Sequence, residues 1–89
     1  DAKKSIDTLS MSNNNDTIAL IYYHLKNYDE AIKYANVSIQ LDESRGDHYI
    51  TRAKIYIKLK KNDLAKIDLN KAIELDEKNA EAIGLLKKL

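Results

Sequence analysis

An internal repeat of 34 residues is the feature that most constrains the fold of this chain. Shifting the sequence by 34 places residues 12–45 over residues 46–79 without a gap, and thirteen of the 34 aligned pairs are identical. A repeat of this length is typical of architectures in which one supersecondary unit stacks on the next. The sequence therefore predicts two full repeats flanked by parts of neighbouring ones.

Each repeat has the pattern of two short helices. In the first repeat, Ile18, Tyr22 and Leu25 recur at helical spacing, and a second stripe follows with Ala31 and Ala35. The chain has no proline and only two glycines, so it lacks the turn residues that β-hairpins need. Because a connection of a few residues makes neighbouring helices antiparallel, we predict helical hairpins and no β-structure.

Helix starts and helix contacts are also marked in the sequence. Asn27, with Glu30 three residues later, has the spacing of a capping box, and Asn79 has the position of an N-cap. Small residues recur where two helices would have to approach closely, which leaves room for a bulky side chain opposite. These small residues are Ala19, Ala31, Ser38, Ala53, Ala65 and Ala72.

This pattern resembles the tetratricopeptide repeat family, whose 34-residue unit has the pattern W-x2-L-G-x2-Y, then A-x3-F, then P. The resemblance implies an all-α, right-handed superhelical stack of antiparallel helix pairs. The matching stretches are Asn15-x2-Ile18-Ala19-x2-Tyr22 with Ala31-x3-Ala35, and Tyr49-x2-Arg52-Ala53-x2-Tyr56 with Ala65-x3-Leu69.

Six positions depart from the family pattern, and we expect these departures to lower stability or local definition. Glutamates stand in place of proline, polar residues stand in place of large apolar ones, and lysines stand near the glycine between the helices. The six residues are Glu43 and Glu77, Asn15 and Arg52, and Lys26 and Lys60.

The repeat divides the chain into four segments. Residues 1–11 are predicted to be the tail of a preceding repeat's second helix plus a loop, and 12–45 and 46–79 are the two full repeats. Residues 80–89 are predicted to be the first helix of a further repeat or a capping helix, with Ile83, Leu86 and Leu89 facing the hairpin before it. Because the chain begins with Asp1, we expect it to be part of a longer protein.

No residue pattern in the chain predicts catalysis, a cofactor or a metal site. The chain has no cysteine, no glycine-rich phosphate loop and no nucleophile motif. His24 and His48 are 24 residues apart on different predicted helices, so we expect solvated or groove histidines. The acidic pairs, such as Asp42 with Glu43, fall at turns and helix starts, where carboxylates cap and solvate.

Charge and hydropathy exclude two further classes of partner. The formal net charge is +1, and the lysine clusters are too small for the long basic stripe that nucleic acid requires. No apolar run approaches the 18 residues of a membrane span. We therefore predict neither nucleic acid nor membrane as a partner. The sequence does not assign a compartment, although the cytoplasm is favoured.

In the tetratricopeptide repeat family the first helices of successive repeats line a concave groove, and the resemblance places a binding surface there. The implied surface mixes apolar side chains with lysines, as interaction sites do. We predict a protein–protein interaction scaffold that binds a peptide or helix of a partner protein, with apolar anchors and at least one acidic group. The candidate groove residues are Asp16, Leu20, Tyr23, His24, Ile50, Lys54, Ile57, Lys58 and Leu85.

One subfamily of these repeats grips the C-terminal carboxylates of Hsp70 and Hsp90 with a clamp of Lys, Asn and Arg side chains. Neither alignment register retains that clamp. Acidic residues stand at some of the clamp positions in this chain, and they would repel a carboxylate tail. We therefore predict that this segment does not bind such tails. In one register the clamp positions are Asp16, Leu20, Thr51, Glu81 and Leu85, and in the next the last three are Thr17, Asp47 and Thr51.

Two alternatives remain open from the sequence. The repeats could be the regulatory or substrate-docking region of a larger enzyme whose catalytic domain lies elsewhere. They could also self-associate through exposed repeat ends.

Overall fold

The computed structural model describes residues 14–89, which form helices and turns and contain no strand. The all-α stack of antiparallel helix pairs predicted from the repeat is confirmed. The predicted tail within residues 1–11 lies outside the described residues. The helices are α1 (Asn14–His24), α2 (Tyr28–Leu41), α3 (Gly46–Lys58), α4 (Asn62–Leu75) and α5 (Ala80–Lys87).

The helices pack in sequence order as two hairpins and the beginning of a third. Helix α1 packs against α2, and α3 packs against α4. Helix α2 also contacts α3, and α4 contacts α5, so each hairpin rests on the next one along the chain. None of the described helices is long and apolar enough to span a bilayer.

The turn inside each hairpin has the same backbone geometry. Lys26 and Lys60 have positive φ angles of 64° and 61°, the left-handed conformation that closes a helix. In the first turn the N–H of Asn27 donates to the carbonyl of Tyr22 at 2.9 Å, and the second turn repeats this bond. The two lysines therefore occupy a conformation that glycine adopts with less strain.

The small residues lie in the interior, as predicted from their spacing. Ala19, Ala31, Ala53 and Ala65 are fully buried, as are three further small residues at helix contacts. Full burial without a long side chain lets the helix axes approach closely, and larger neighbours fill the remaining space. The further buried small residues are Ala35, Ala72 and Ala82.

One of the two predicted helix caps is present. The side chain of Asn79 accepts a hydrogen bond from the N–H of Ala82 at 3.2 Å, which confirms the cap of α5. The capping box at Asn27 and Glu30 is wrong, because the side chain of Asn27 makes no capping bond. In a capping box Glu30 would accept a hydrogen bond from the N–H of Asn27, but this N–H already donates to the carbonyl of Tyr22.

Arg52, one of the six departures from the family pattern, uses each of its three guanidinium nitrogens in a hydrogen bond. Its Nε and Nη2 donate to the two carboxylate oxygens of Asp68 at 2.8 and 2.7 Å, and its Nη1 donates to Oδ1 of Asn36 at 3.0 Å. The guanidinium also lies 5.9 Å from the ring centre of Tyr49 and 5.8 Å from that of Tyr56. The bonds to Asp68 raise the pKa of Arg52 further above its usual range.

The fifth helix covers the open side of the second hairpin. Leu86 and Leu89 pack against the buried cluster of the second hairpin, which also includes Ile39 of α2 and Ala82 of α5, and this confirms two of the three predicted contacts. Ile83 is half-buried, and Leu85 also packs against this cluster. The helix thus completes the apolar core of the hairpin that precedes it.

Candidate protein-binding surface

Helices α1, α3 and α5 are the first helices of successive hairpins, and polar contacts connect them in a row. Oδ1 of Asp16 on α1 lies 3.3 Å from Nδ1 of His48 on α3. Nζ of Lys54 on α3 lies 2.6 Å from Oε2 of Glu81 on α5. Because these pairs join neighbouring first helices, the three helices form one continuous surface, which we call the first-helix face.

The ends of α1 and α3 form a depression on this face of about 300 Å³. Its lining residues are Tyr23 and His24 from α1, Lys26 from the turn, Tyr28 from α2 and Lys58 from α3. The ring of Tyr23 contacts His24 and Tyr28 edge-on, with centroid distances of 5.3 and 6.1 Å. The depression therefore has aromatic walls and three basic side chains, and no carboxylate lines it.

Three of the four predicted apolar residues are partly accessible. Leu20, Ile57 and Leu85 are half-buried, and the last two rest on the core of the second hairpin. Ile50 is only 4% exposed and belongs to that core, so the interpretation of Ile50 as an exposed groove contact is wrong. It is buried in a cluster to which α3, α4 and Ala82 of α5 all contribute.

The charged candidates differ in how free they are to contact a partner. The side chain of Asp16 is 20% exposed, and its Oδ1 is buried against His48. The charge of Lys54 is offset by Glu81, whereas Lys58 is exposed and forms no ion pair within residues 14–89. Lys58 is therefore the lysine of the predicted groove that remains available.

The histidines have different environments. His24 is exposed and lies in the depression, as expected of a groove residue. His48 is 2% exposed, so the expectation of a solvated or groove histidine is wrong for this residue. It lies between α1 and α3, and neither its Nδ1 nor the nearby Oδ1 of Asp16 has a hydrogen-bond partner in the described part of the chain.

The chemistry available on this surface is that of binding. Across residues 14–89, no three histidine, aspartate or glutamate side chains come together as metal ligands would. The acidic side chains near the face are held by basic ones, as in the pairs of Glu81 with Lys54 and Asp47 with Arg45. What the face offers is half-buried apolar side chains beside unpaired basic ones, a combination suited to a peptide ligand.

Sequence reasoning missed the two polar contacts that join helices in the interior. Arg52 and Asp68 each interrupt an apolar stripe, and they do so in the two helices of the same hairpin. Opposite charges that break two facing stripes together are a signal for a buried pair, since an unpaired buried charge is strongly unfavourable. For His48 and Asp16 the sequence offers no comparable signal.

Comparison with known proteins gives two kinds of match. Two profiles described as "Tetratricopeptide repeat" match residues 15–45 and 48–79. Among curated proteins, none matches this sequence.

A solved structure described as "First TPR of Spaghetti (RPAP3) bound to HSP90 peptide SRMEEVD" is similar in fold, with a TM-score of 0.81 and 29% sequence identity. The match covers 84% of this chain and 60% of that one. The chain therefore spans less than two thirds of the length of this structural neighbour.

Proposed function

The chain belongs to the tetratricopeptide repeat family and is a protein-interaction scaffold, and from this premise we propose that its first-helix face binds a peptide or helix of a partner protein. The observation that carries the proposal is the row of half-buried apolar residues on α1, α3 and α5. Leu20, Ile57 and Leu85 remain accessible on a face that also holds the unpaired Lys58.

The apolar residues should supply most of the affinity. Side chains that become fully buried at the centre of an interface contribute most to binding, whereas exposed charges contribute chiefly orientation and association rate. Ile57 and Leu85 already rest on the core, so binding would complete their burial with little loss of side-chain freedom. Lys58, at the edge of this apolar group, would set the direction of the ligand.

The structural neighbour was solved with a peptide, which supports peptide binding as a use of this fold. Its peptide ends in a carboxylate, yet the clamp positions of the present chain hold Asp16, Leu20, Thr51, Glu81 and Leu85. Glu81 is paired with Lys54, so it repels an incoming carboxylate less than a free acid would, and the side chain of Asp16 is only 20% exposed. Lysine, asparagine and arginine are still missing from these positions, and we retain the prediction that chaperone tails do not bind in this way.

The test is to capture partner proteins from a lysate of the source organism on the immobilised chain. Leu20→Ala and Ile57→Ala are compared with the wild type and with Ile67→Ala, a matched truncation on α4 at a residue that is 63% exposed. Proteins bound through the first-helix face should be recovered less well on the first two variants, and recovery on Ile67→Ala should equal the wild type. Circular dichroism verifies that each variant is folded.

The contrary result is loss on Ile67→Ala with full recovery on both face variants. It would place the binding site on the outer side of α4, where Leu64 is exposed near Ile67. The proposal for the first-helix face would then be wrong, although the chain would still be an interaction scaffold.

A further inference from the structure

We infer that the depression between the ends of α1 and α3 is an anion-binding pocket for an acidic group of the partner, either a carboxylate or a phosphate. The inference rests on the proposed function and assigns chemistry to one part of the first-helix face. The pocket residues are Tyr23, His24, Lys26, Tyr28 and Lys58.

Basic groups from three separate elements converge on this pocket. His24 ends α1, Lys26 lies in the turn, and Lys58 ends α3, and all three are exposed. Within residues 14–89 none of them has an acidic partner, whereas Lys54 is paired with Glu81 on the same face. Because no carboxylate lines the pocket, an anion entering it meets attraction without an internal competitor.

The pocket is also held in place before a ligand arrives. The turn that carries Lys26 is closed by the hydrogen bond from the N–H of Asn27 to the carbonyl of Tyr22 at 2.9 Å. The ring of Tyr23 is in edge-on contact with two neighbouring rings, those of His24 and Tyr28. Because the turn and this ring are positioned before binding, the conformational entropy lost on binding an anion is mainly that of the exposed basic side chains.

A second depression lies at the turn between α3 and α4, and its lining differs from that of the pocket at Tyr23. It is lined by Lys60, Lys61, Asn62, Asp63 and Leu64, which are consecutive residues of a single turn and include a carboxylate. It has no aromatic wall and no contribution from another hairpin. The pocket at Tyr23 is instead lined by residues of both hairpins. A ligand that lies along the first-helix face would therefore contact it from both sides.

The surroundings of the pocket favour a peptide over nucleic acid. The pocket has a volume of about 300 Å³ and is lined by two tyrosines, Tyr23 and Tyr28, at one place on the face. Proteins that bind single-stranded nucleic acid use a longer basic groove with several aromatic platforms in succession. Here the neighbouring first-helix positions are apolar or already paired, as Ile57 and Lys54 illustrate.

The test is an NMR titration of the whole chain with three pentapeptides that differ at one position. The probes are acetyl-Gly-Leu-Gly-Glu-Gly-amide, its glutamine analogue and its phosphoserine analogue. The glutamate and phosphoserine peptides should shift the backbone amides of Tyr23, His24 and Lys58, and the glutamine peptide should not. Tighter binding of phosphoserine would identify phosphate as the preferred source of the charge, and equal binding would identify any acidic side chain.

Variants assign the effect to the pocket. Lys58→Gln and Lys26→Gln should each weaken binding of the glutamate peptide by about fivefold, because a charge-assisted contact is lost while a flexible polar side chain is kept. The matched control is Lys87→Gln, which removes an exposed lysine at the end of α5 and should change affinity by less than about twofold. Added salt should weaken the wild-type complex and remove the difference between the glutamate and glutamine peptides.

Three outcomes would overturn the inference. Equal affinity for the glutamate and glutamine peptides would show that the pocket does not distinguish a charged side chain from a neutral one. Shifts confined to Leu20, Ile57 and Leu85 would show that the pocket is not used, while leaving the proposed peptide-binding face intact. Tighter binding of an octathymidylate than of either acidic peptide, at the same pocket residues, would make the site one for nucleic acid.

Discussion

In the first hairpin Ile18 is buried on α1, and Tyr34 of α2 stacks on Tyr22 with ring centres 5.7 Å apart. In the second hairpin the residues 34 positions later than Ile18 and Tyr34 are Arg52 and Asp68, which form a bidentate ion pair. The two hairpins repeat the same turn geometry, and the two sites that hold an ion pair in the second hairpin hold an isoleucine and a tyrosine in the first.

The comparison shows that the repeat determines where the helices lie, whereas the side chains at equivalent positions can differ in polarity from one hairpin to the next. An apolar pair gains from burial alone, whereas a charged pair requires both partners, because a lone carboxylate in the interior is strongly unfavourable. Asp68 is 2% exposed and therefore depends on Arg52. The second hairpin should consequently be much more sensitive to a change of one partner than to a change of both.

The largest expected effect comes from Arg52→Ile, which places in the second hairpin the residue type that Ile18 has at the equivalent site of the first. It leaves Asp68 buried without a cation, and we expect the free energy of unfolding to fall by about 3 kcal/mol. Adding Asp68→Tyr should recover most of the loss, since the double variant carries the residue types of Ile18 and Tyr34. Urea denaturation followed by circular dichroism measures both. Additive losses in the double variant would show that the two sites do not act as a pair.

Overpacking should affect the two hairpins equally. Ala19 and Ala53 occupy equivalent positions and are both fully buried. Replacing either with leucine should destabilise the chain by about 1–3 kcal/mol, because the added carbons have no space between the helices. Thermal unfolding of Ala19→Leu and Ala53→Leu, measured side by side, provides the comparison. An unchanged midpoint in one variant would mean that its hairpin is more loosely packed than the other.

The helix caps give a smaller difference between the repeats. Asn79→Ala removes the cap of α5 and should cost about 1 kcal/mol. Asn27→Ala should have almost no effect, because the side chain of Asn27 makes no capping bond at the start of α2. Chemical denaturation of the two variants measures the contrast. Equal losses would indicate that Asn27 stabilises its hairpin by some other contact.

The smallest effect is expected at the two turns, where the hairpins are alike. Lys26→Gly and Lys60→Gly should each stabilise the chain by roughly 0.5 kcal/mol, since relief of the left-handed strain is partly offset by the greater freedom of glycine in the unfolded chain. The double variant should show the sum, because the turns belong to different hairpins. Denaturation midpoints test this, and a loss of stability in either single variant would contradict the strain assigned to that turn.

The sequence by itself determined the features that recur every 34 residues. The helical period of the apolar stripes predicts which face of each helix is apolar, although Leu25 of the first stripe is 69% exposed, and the positions of Ala19 and Ala53 predict where the helices meet most closely. The cap at Asn79 does not recur, since Arg45 stands at the equivalent position, and it was predicted from the residue type just before the last helix. All of these depend on neighbours within one or two helical turns, so local physics is enough to reveal them.

The candidate site was only partly predictable. Tyr23, His24 and Lys58 were assigned to one surface from the resemblance, and in the structure they line one depression. Their availability for binding could not be deduced, since it depends on which other side chains reach the same place. Lys54 and Lys58 lie on the same helix, yet Lys54 is paired with Glu81 and Lys58 is not paired within the described residues.

Only the tertiary structure decided which charges are paired and which apolar residues are covered. Ile21 and Ile55 are equivalent in the repeat, yet Ile55 is fully buried beside α2 and Ile21 is 47% exposed. Ile50, assigned by resemblance to the groove, belongs to the buried core of the second hairpin. The physical reason is that periodicity identifies the apolar face of a helix, whereas burial depends on which other helix lies against that face. That choice is made by contacts between residues far apart in the chain, as Arg52 and Asp68 are.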